Sequence, residues 1–159
     1  MTQSEESLAV IRGMEASLIE NSDDMAAWFH EDFRWVGNTG CGVKQGLDAF
    51  RQNWQLPFRA AFSERVYRTE QFLADGEWVS CFGQIDATHT GIFMGVEATG
   101  LRVSIPYMDF WRVQNGRIVD NRVSVDFAKA LHQLGLDAFN GEGWEAFDHG
   151  ERCPPVPAK

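Results

Sequence analysis

The stretch 107-YMDFWRVQNGRIVDNRVSVDFAKALHQLG-135 decides how this chain folds. It reads as strand, tight turn, strand and short helix. Asn115-Gly116, set between two alternating runs, predicts a two-residue hairpin loop, because both central positions of a type I′ turn need φ > 0. Gln114 then faces Arg117. Counting back places Asp109 opposite Arg122, Tyr107 opposite Ser124 and Ile105 opposite Asp126. Directly opposed residues share one face of a sheet. Tyr107, Asp109, Trp111, Arg122, Ser124 and Asp126 are therefore expected to project together. That face would carry carboxylates, an arginine, hydroxyls and a large aromatic. A slip of one residue would invert it.

Working outward, Glu64–Leu73 and Glu77–Thr90 read as strands joined at Asp75-Gly76, and Leu101–Val113 follows a glycine-rich connection over 91–100. Three helices are expected ahead of the sheet. The first runs from Ser4 to about Asn21, with Leu8, Ile11, Met14/Glu15 and Leu18 at helical spacing. The second starts at an N-cap Ser22, with Asp23 and Asp24 in its first turn and a stripe of Met25, Trp28 and Phe29. Phe33 and Trp35 alternate with polar residues as a short strand. The third helix begins near Lys44, buries Leu47, Phe50 and Trp54, and is ended or kinked by Pro57. Helices first and a curled antiparallel sheet afterwards make an α+β order. An amphipathic helix packed into a strongly bent sheet makes a cone, and the cone's open end is a natural ligand pocket.

Composition excludes several classes. A chain of 159 residues suits one domain, and 44% hydrophobic with 13% aromatic residues marks it as globular. A net charge of −9 argues against nucleic acid and anionic membrane surfaces as partners. No apolar run approaches the roughly 20 residues that span a bilayer. MTQSEESLAV lacks the basic and apolar regions of a signal peptide, so a cytoplasmic protein is expected. Cys41, Cys81 and Cys153 show no zinc spacing and no disulfide framework.

At this point the residues carry a resemblance. HEDFRWVG (30–37), GLDAFRQNW (46–54), THTGIFMGVEATG (88–100), DFWRVQNGRIVDN (109–121) and VDFAKALHQLG (125–135) resemble, in order and spacing, the SnoaL-like polyketide cyclase and ester cyclase group of the nuclear transport factor 2-like superfamily. The resemblance covers roughly residues 5 to 137. It implies a cone-shaped, curled, antiparallel or mixed sheet wrapped around N-terminal helices, the cystatin-like α+β barrel. The domain is then 1–137, with 138–159 as a tail over the body or a partner. The family's cyclases close rings by intramolecular aldol reaction on polyketide esters, using an acidic general acid/base and neither metal nor cofactor. By motif that acid falls on Asp126 and the family's histidine on His89. The chain departs from relatives at Asn121 and Arg122, where histidine and tryptophan are common. The resemblance also implies a homodimer through open sheet faces.

Several candidates follow. Asp126 ends a strand, and a carboxylate inside an apolar cone has a raised pKa suited to proton abstraction beside a carbonyl. The competing reading is an N-cap for the helix at Phe127. Asp109 and Arg122 form either a clamp for a substrate oxygen or a structural ion pair. His89 is a candidate shuttle or carbonyl donor. Gln84 and Asp86 share a strand face and resemble part of the water-activating set of limonene epoxide hydrolases. Trp35, Trp54, Phe58, Met94 and Tyr107 are candidate pocket walls for a flat hydrophobic ligand. Asn38 is either a carbonyl donor or a turn residue. The leading expectation is a cofactor-free cyclase, isomerase or lyase acting on a small oxygenated molecule. An epoxide or ester hydrolase, with water between Asp126, Asp86 and Arg122, and a non-catalytic binding protein are the alternatives.

Overall fold

The computed structural model describes residues 1–20, 22 and 24–144. The expectations placed on Asp23, on Cys153 and on most of the tail lie outside the described residues. The elements are α1 (Gln3–Ile19), a 3-10 turn (Met25–Ala27), β1 (Phe29–Val36), β2 (Val43–Gln45), α2 (Leu47–Phe50), a π-helical turn (Arg51–Gln55), α3 (Leu56–Ala61), β3 (Phe62–Asp75), β4 (Trp78–His89), β5 (Arg102–Gln114), β6 (Arg117–Val125) and α4 (Phe127–Gln133). The strands form one open mixed sheet in the order β2-β1-β6-β5-β4-β3, with β1 and β6 parallel and the other pairs antiparallel. Helix α1 packs across β3, β4 and β5 on one face of that sheet. No helix among the described residues is long and apolar enough to cross a membrane.

Helix α1 starts earlier than Ser4. Thr2 and Glu5 close a capping box, with Thr2 N donating to the Glu5 carboxylate at 2.7 Å and Glu5 N donating to Thr2 Oγ1 at 3.3 Å. Ser4 and Ser7 instead clasp the β3–β4 turn. Gly76 N donates to Ser4 Oγ, and Ser7 Oγ donates to Gly76 O, both at 2.8 Å. The second helix expected at Ser22 is only the turn at Met25–Ala27, because the two aromatics that follow point into different layers. A Cβ on Gly13 would lie 2.3 Å from the Trp28 ring, so α1 accepts Trp28 only at a glycine. Phe29 opens β1, stacks with Phe50 and packs at a tilt against Phe33. His30 is an exposed β1 residue.

The third helix also differs. Val43–Gln45 pairs as an edge strand, and helix begins at Leu47. Pro57 does not end it. Leu56 N bonds Arg51 O, five residues back, and Pro57, which has no N–H to donate, falls where the hydrogen-bond spacing changes.

The hairpin loop is as read: Asn115 and Gly116 take φ of +49° and +73°, and Gln114 stands opposite Arg117. The register behind it is not. Val113 pairs with Ile118, but Arg112 pairs with Asp120, so Val119 is bulged and every later partner shifts by one. Asp109 faces Val123 and Tyr107 faces Val125. The β6 face is thereby inverted. Asn121, Val123 and Val125 join Tyr107, Asp109 and Trp111 under the helices, while Asp120, Arg122 and Ser124 turn outward. Desolvation is the reason. A straight register would bury Asp120, Arg122 and Ser124 where the bulge buries two valines and one asparagine, and unpaired charge is costly to bury. Asp126 is also not opposite Ile105; its N–H bonds Pro106 O at the strand's end.

Candidate active site

A cavity of about 130 Å³ opens between α1, the π-helical turn and the inner face of the sheet. Its aromatic wall is Trp35, Trp54 and Phe58, which stack in series with ring centroids 4.4 and 5.4 Å apart. Tyr107, Asp109, Trp111 and Asn121 form the sheet side, and Glu15 reaches in from α1.

Asp109 is the chemically distinctive group. It is half-buried and lines the cavity. Asn121 Nδ2 donates to its Oδ1 at 2.9 Å and to Phe110 O at 3.2 Å. Burial pushes the carboxyl up to about 7; the Asn121 hydrogen bond opposes the shift and the Glu15 charge adds to it. A second polar line runs beside it. The Thr69 hydroxyl donates to the Glu15 carboxylate, and Thr69 Oγ1 lies 2.7 Å from Tyr107 Oη. With its own proton directed at Glu15, Thr69 accepts from Tyr107. Burial pushes the Tyr107 phenol up, so it stays protonated near neutrality. A carboxyl that titrates near pH 7 in an aromatic cavity is equipped to take a proton from a carbon acid and to return it. No group of three or more His, Cys, Asp or Glu side chains among the described residues is arranged to hold a metal ion.

Of the sequence candidates, Trp35, Trp54, Phe58, Tyr107 and Asp109 meet in this cavity. The others do not. Arg122 is on the outer face and its Nε donates to Asp120 at 3.1 Å, so it does not clamp Asp109; the Val119 bulge separates them. Asp86 is also outside, where it binds Arg68 and accepts from Gln84 Nε2 at 3.0 Å. The bound guanidinium holds the Asp86 carboxyl below its ordinary range, the opposite of an acid poised for catalysis. Asp126 is exposed, and its Oδ1 accepts from Lys129 N at 2.9 Å as the N-cap of α4. Asn38 Oδ1 accepts from Val125 N at 3.0 Å and fastens its loop to β6. Asn38, Gln84 and Asp126 line a separate depression on the outer side of β4–β6. Met94 is an exposed turn residue at φ +45°.

His89 is fully buried, its Nδ1 3.0 Å from Thr99 Oγ1 and accepting from Thr99 N at 3.3 Å, and burial pushes its pKa down. Asp109 pairs with Cys81, eight residues before His89 on the same strand, which is about 26 Å at ~3.3 Å per residue. His89 therefore does not share a proton with Asp109. It holds the end of the 91–100 connection, where Gly100 N bonds His89 O.

Sequence reading passed over Glu15, Thr69, Gln55 and Asn121 as site residues. Glu15 left a signal, since it interrupts the apolar stripe of α1 beside Met14. The bulge left one too. Val123 and Val125 alternate out of phase with Ile118, as an extra residue between them requires. The cap reading makes Asp126→Ala a control. It is expected to destabilise the protein by about 1 kcal/mol through loss of the cap. It should leave kcat within about twofold, against the roughly 10²–10⁴-fold that a general acid/base supplies. Thermal unfolding beside steady-state rates checks this, and a large loss of kcat in the folded variant would return Asp126 to catalysis.

A family model described as SnoaL-like polyketide cyclase matches residues 9–134. Nogalonic acid methyl ester cyclase of Streptomyces nogalater is 31% identical over 126 residues, covering 77% of this chain and 92% of that protein. Aklanonic acid methyl ester cyclase DauD of Streptomyces sp. (strain C5) is 32% identical over 154 residues, covering 94% and 90% respectively. Among solved structures, IdmH of Streptomyces antibioticus superposes with a TM-score of 0.69 at 22% identity, covering 82% of this chain and 99% of that one. A SnoaL-like polyketide cyclase of Agrobacterium tumefaciens gives 0.62 at 18% identity, with coverages of 85% and 99%. These structural likenesses concern the fold alone.

Proposed function

The chain belongs to the SnoaL-like polyketide cyclase family, and from that premise we propose that it closes a ring in an aromatic polyketide methyl ester by intramolecular aldol reaction, with Asp109 as general acid/base. The observation that carries the reading is the Asp109 carboxyl, pushed up to about 7 inside an aromatic cavity. In its charged form Asp109 takes the proton from the carbon between two carbonyls of the substrate. The electron pair passes into the enolate and then forms a C–C bond to a second carbonyl carbon of the same molecule. The alkoxide so formed takes the proton back from Asp109. No atom is gained or lost, and the carboxylate is regenerated. The half-buried rings of Trp54 and Phe58, backed by the buried Trp35, form a wall for a polycyclic ligand, whose reacting end enters the cavity.

The test is incubation of the purified protein with an aromatic polyketide bearing a β-keto methyl ester, followed by chromatography and mass spectrometry. A new product of unchanged mass supports cyclisation. A free acid that has lost methanol and carries labelled oxygen from the solvent would establish an ester hydrolase instead. Recovery of unchanged substrate that still binds would leave a binding protein. The hydrolase reading has no assembled water site here, since Asp86 binds Arg68, Arg122 binds Asp120 and Asp126 caps α4.

The same family reading extends to a homodimer. Its support is the outer sheet face, where Phe82, Met108 and Phe110 stand side by side on β4 and β5 with 44%, 63% and 52% of their surface exposed. Light scattering is expected to give twice the chain mass, and Met108→Glu to give the monomer. A monomeric wild-type protein would sink this part of the proposal.

A further inference from the structure

Among the described residues, two buried side-chain atoms lack a hydrogen-bond partner: Gln55 Nε2 and His89 Nε2. His89 does not line the cavity. Gln55 does, and only 6% of its surface is exposed. A buried amide donor left unpaired costs about 1–3 kcal/mol. Such groups call for an explanation, and at a cavity wall the simplest is a partner that arrives with the ligand.

The local backbone puts Gln55 there. It ends the π-helical turn Arg51–Gln55, immediately before the segment that contains Pro57. The turn adds a residue to the helix, and turns of this kind recur at functional sites. Trp54 precedes Gln55, Phe58 follows three residues later, and both rings belong to the aromatic wall of the cavity that Gln55 lines.

Of the other polar side chains that line the cavity, Arg59 donates to Ser22 O at 3.5 Å, and Asn121, Thr69 and Tyr107 are engaged within the fold. Asn121 donates to Asp109 and to Phe110 O, Thr69 donates to Glu15, and Tyr107 donates to Thr69. The two carboxylates offer only acceptors when charged. As Asp109 takes the proton, its negative charge passes to the enolate, with the Glu15 carboxylate still nearby. The enolate needs a donor that the interior has not already engaged.

We infer that the side-chain amide of Gln55 donates a hydrogen bond from Nε2 to the carbonyl oxygen of the substrate that becomes the enolate oxygen. This rests on the cyclase reading for the identity of the ligand, though not for the presence of the donor. Gln55 moves no proton. It lowers the barrier because the acceptor oxygen gains charge in the transition state, so the bond strengthens there relative to the bound ground state.

The test uses Gln55→Met, which keeps length and shape but removes the donor, with Gln55→Leu as a second variant should Met repack. Both are expected to melt at or above the wild-type temperature, since an unpaired buried amide is replaced by apolar atoms. kcat is expected to fall about 10²–10³-fold with KM changed much less. The pH limb set by Asp109 should stay where it is. The second readout is the infrared stretch of a ¹³C-labelled carbonyl in a β-keto methyl ester bound to the Asp109→Asn protein. It should lie lower there than in the Asp109→Asn/Gln55→Met double variant. Equal frequencies in the two, or a Gln55→Met enzyme with wild-type kcat, would overturn the assignment. A frequency difference with no turnover by wild type would sink the cyclase reading and leave the donor standing. Normal turnover in both Gln55 variants would do the reverse.

Discussion

Asp109→Asn is expected to lose about 10²–10⁴-fold in kcat while becoming more stable than the wild type above pH 7. The two effects have one cause. The Asp109 carboxyl stands at about 7 in the fold against an ordinary 3.8. A raised pKa means that the folded protein holds this proton more tightly than the unfolded chain does. The resulting stability is fully present below about pH 4 and is lost as pH rises through 7, where the carboxylate must be carried charged in a poorly solvated site. At about 1.4 kcal/mol per pKa unit the loss is on the order of 4 kcal/mol. Asparagine at 109 carries no charge at any pH and can still accept from Asn121. Its melting temperature should therefore lack the decline between pH 4 and 8 that the wild type shows.

The same carboxyl sets the pH profile. kcat/KM is expected to rise with pH along a limb near 7, because the charged form abstracts the proton. Glu15→Gln removes the neighbouring charge that helps to raise Asp109, so the limb should move to lower pH. A limb near 4, or an Asp109→Asn enzyme with wild-type turnover, would remove Asp109 from the chemistry.

Gly83→Val is expected to destabilise the protein by about 1–3 kcal/mol, a fall of roughly 3–10 °C in melting temperature, and to lower turnover as well. Gly83 stands opposite Tyr107 on β4. A Cβ there would lie 2.4 Å from Arg68 O, 2.8 Å from Thr69 Cα and 3.0 Å from Tyr107 Oη. The first two are backbone atoms of β3, so the strand itself must move. Thr69 is the residue that β3 contributes to the Glu15–Thr69–Tyr107 line, and displacing it parts the phenol from its acceptor. Gly83→Ala should show the same effects at smaller size. Unfolding in urea with assay of the folded fraction separates the two, and an unchanged midpoint for the valine variant would show that β3 yields freely.

Sequence alone determined the four long strands of the second half, the hairpin at Asn115-Gly116, the aromatic residues of the wall and the family. These are local or compositional properties. A type I′ turn is chosen by the two residues that occupy it, and an apolar stripe marks its buried face wherever the helix lies. Asp109 was legible as a candidate because its β5 parity does not depend on what happens in β6.

Tertiary structure alone decided which carboxylate enters the cavity and what stands beside it. One bulged residue, Val119, exchanged Arg122 for Asn121 on the inner face. Parity counting assumes an unbroken ladder, and the ladder breaks where burying valines is cheaper than burying charge. Asp126 was ambiguous for a related reason. A carboxylate at a strand end just before a helix can cap or catalyse, and only its exposure and its bond to Lys129 N distinguish the two. Glu15, Thr69 and Gln55 come from α1, β3 and the π-helical turn, and no spacing along the chain links them. They meet because the helices and the sheet close over one cavity, and the pKa of Asp109 is a property of that enclosure.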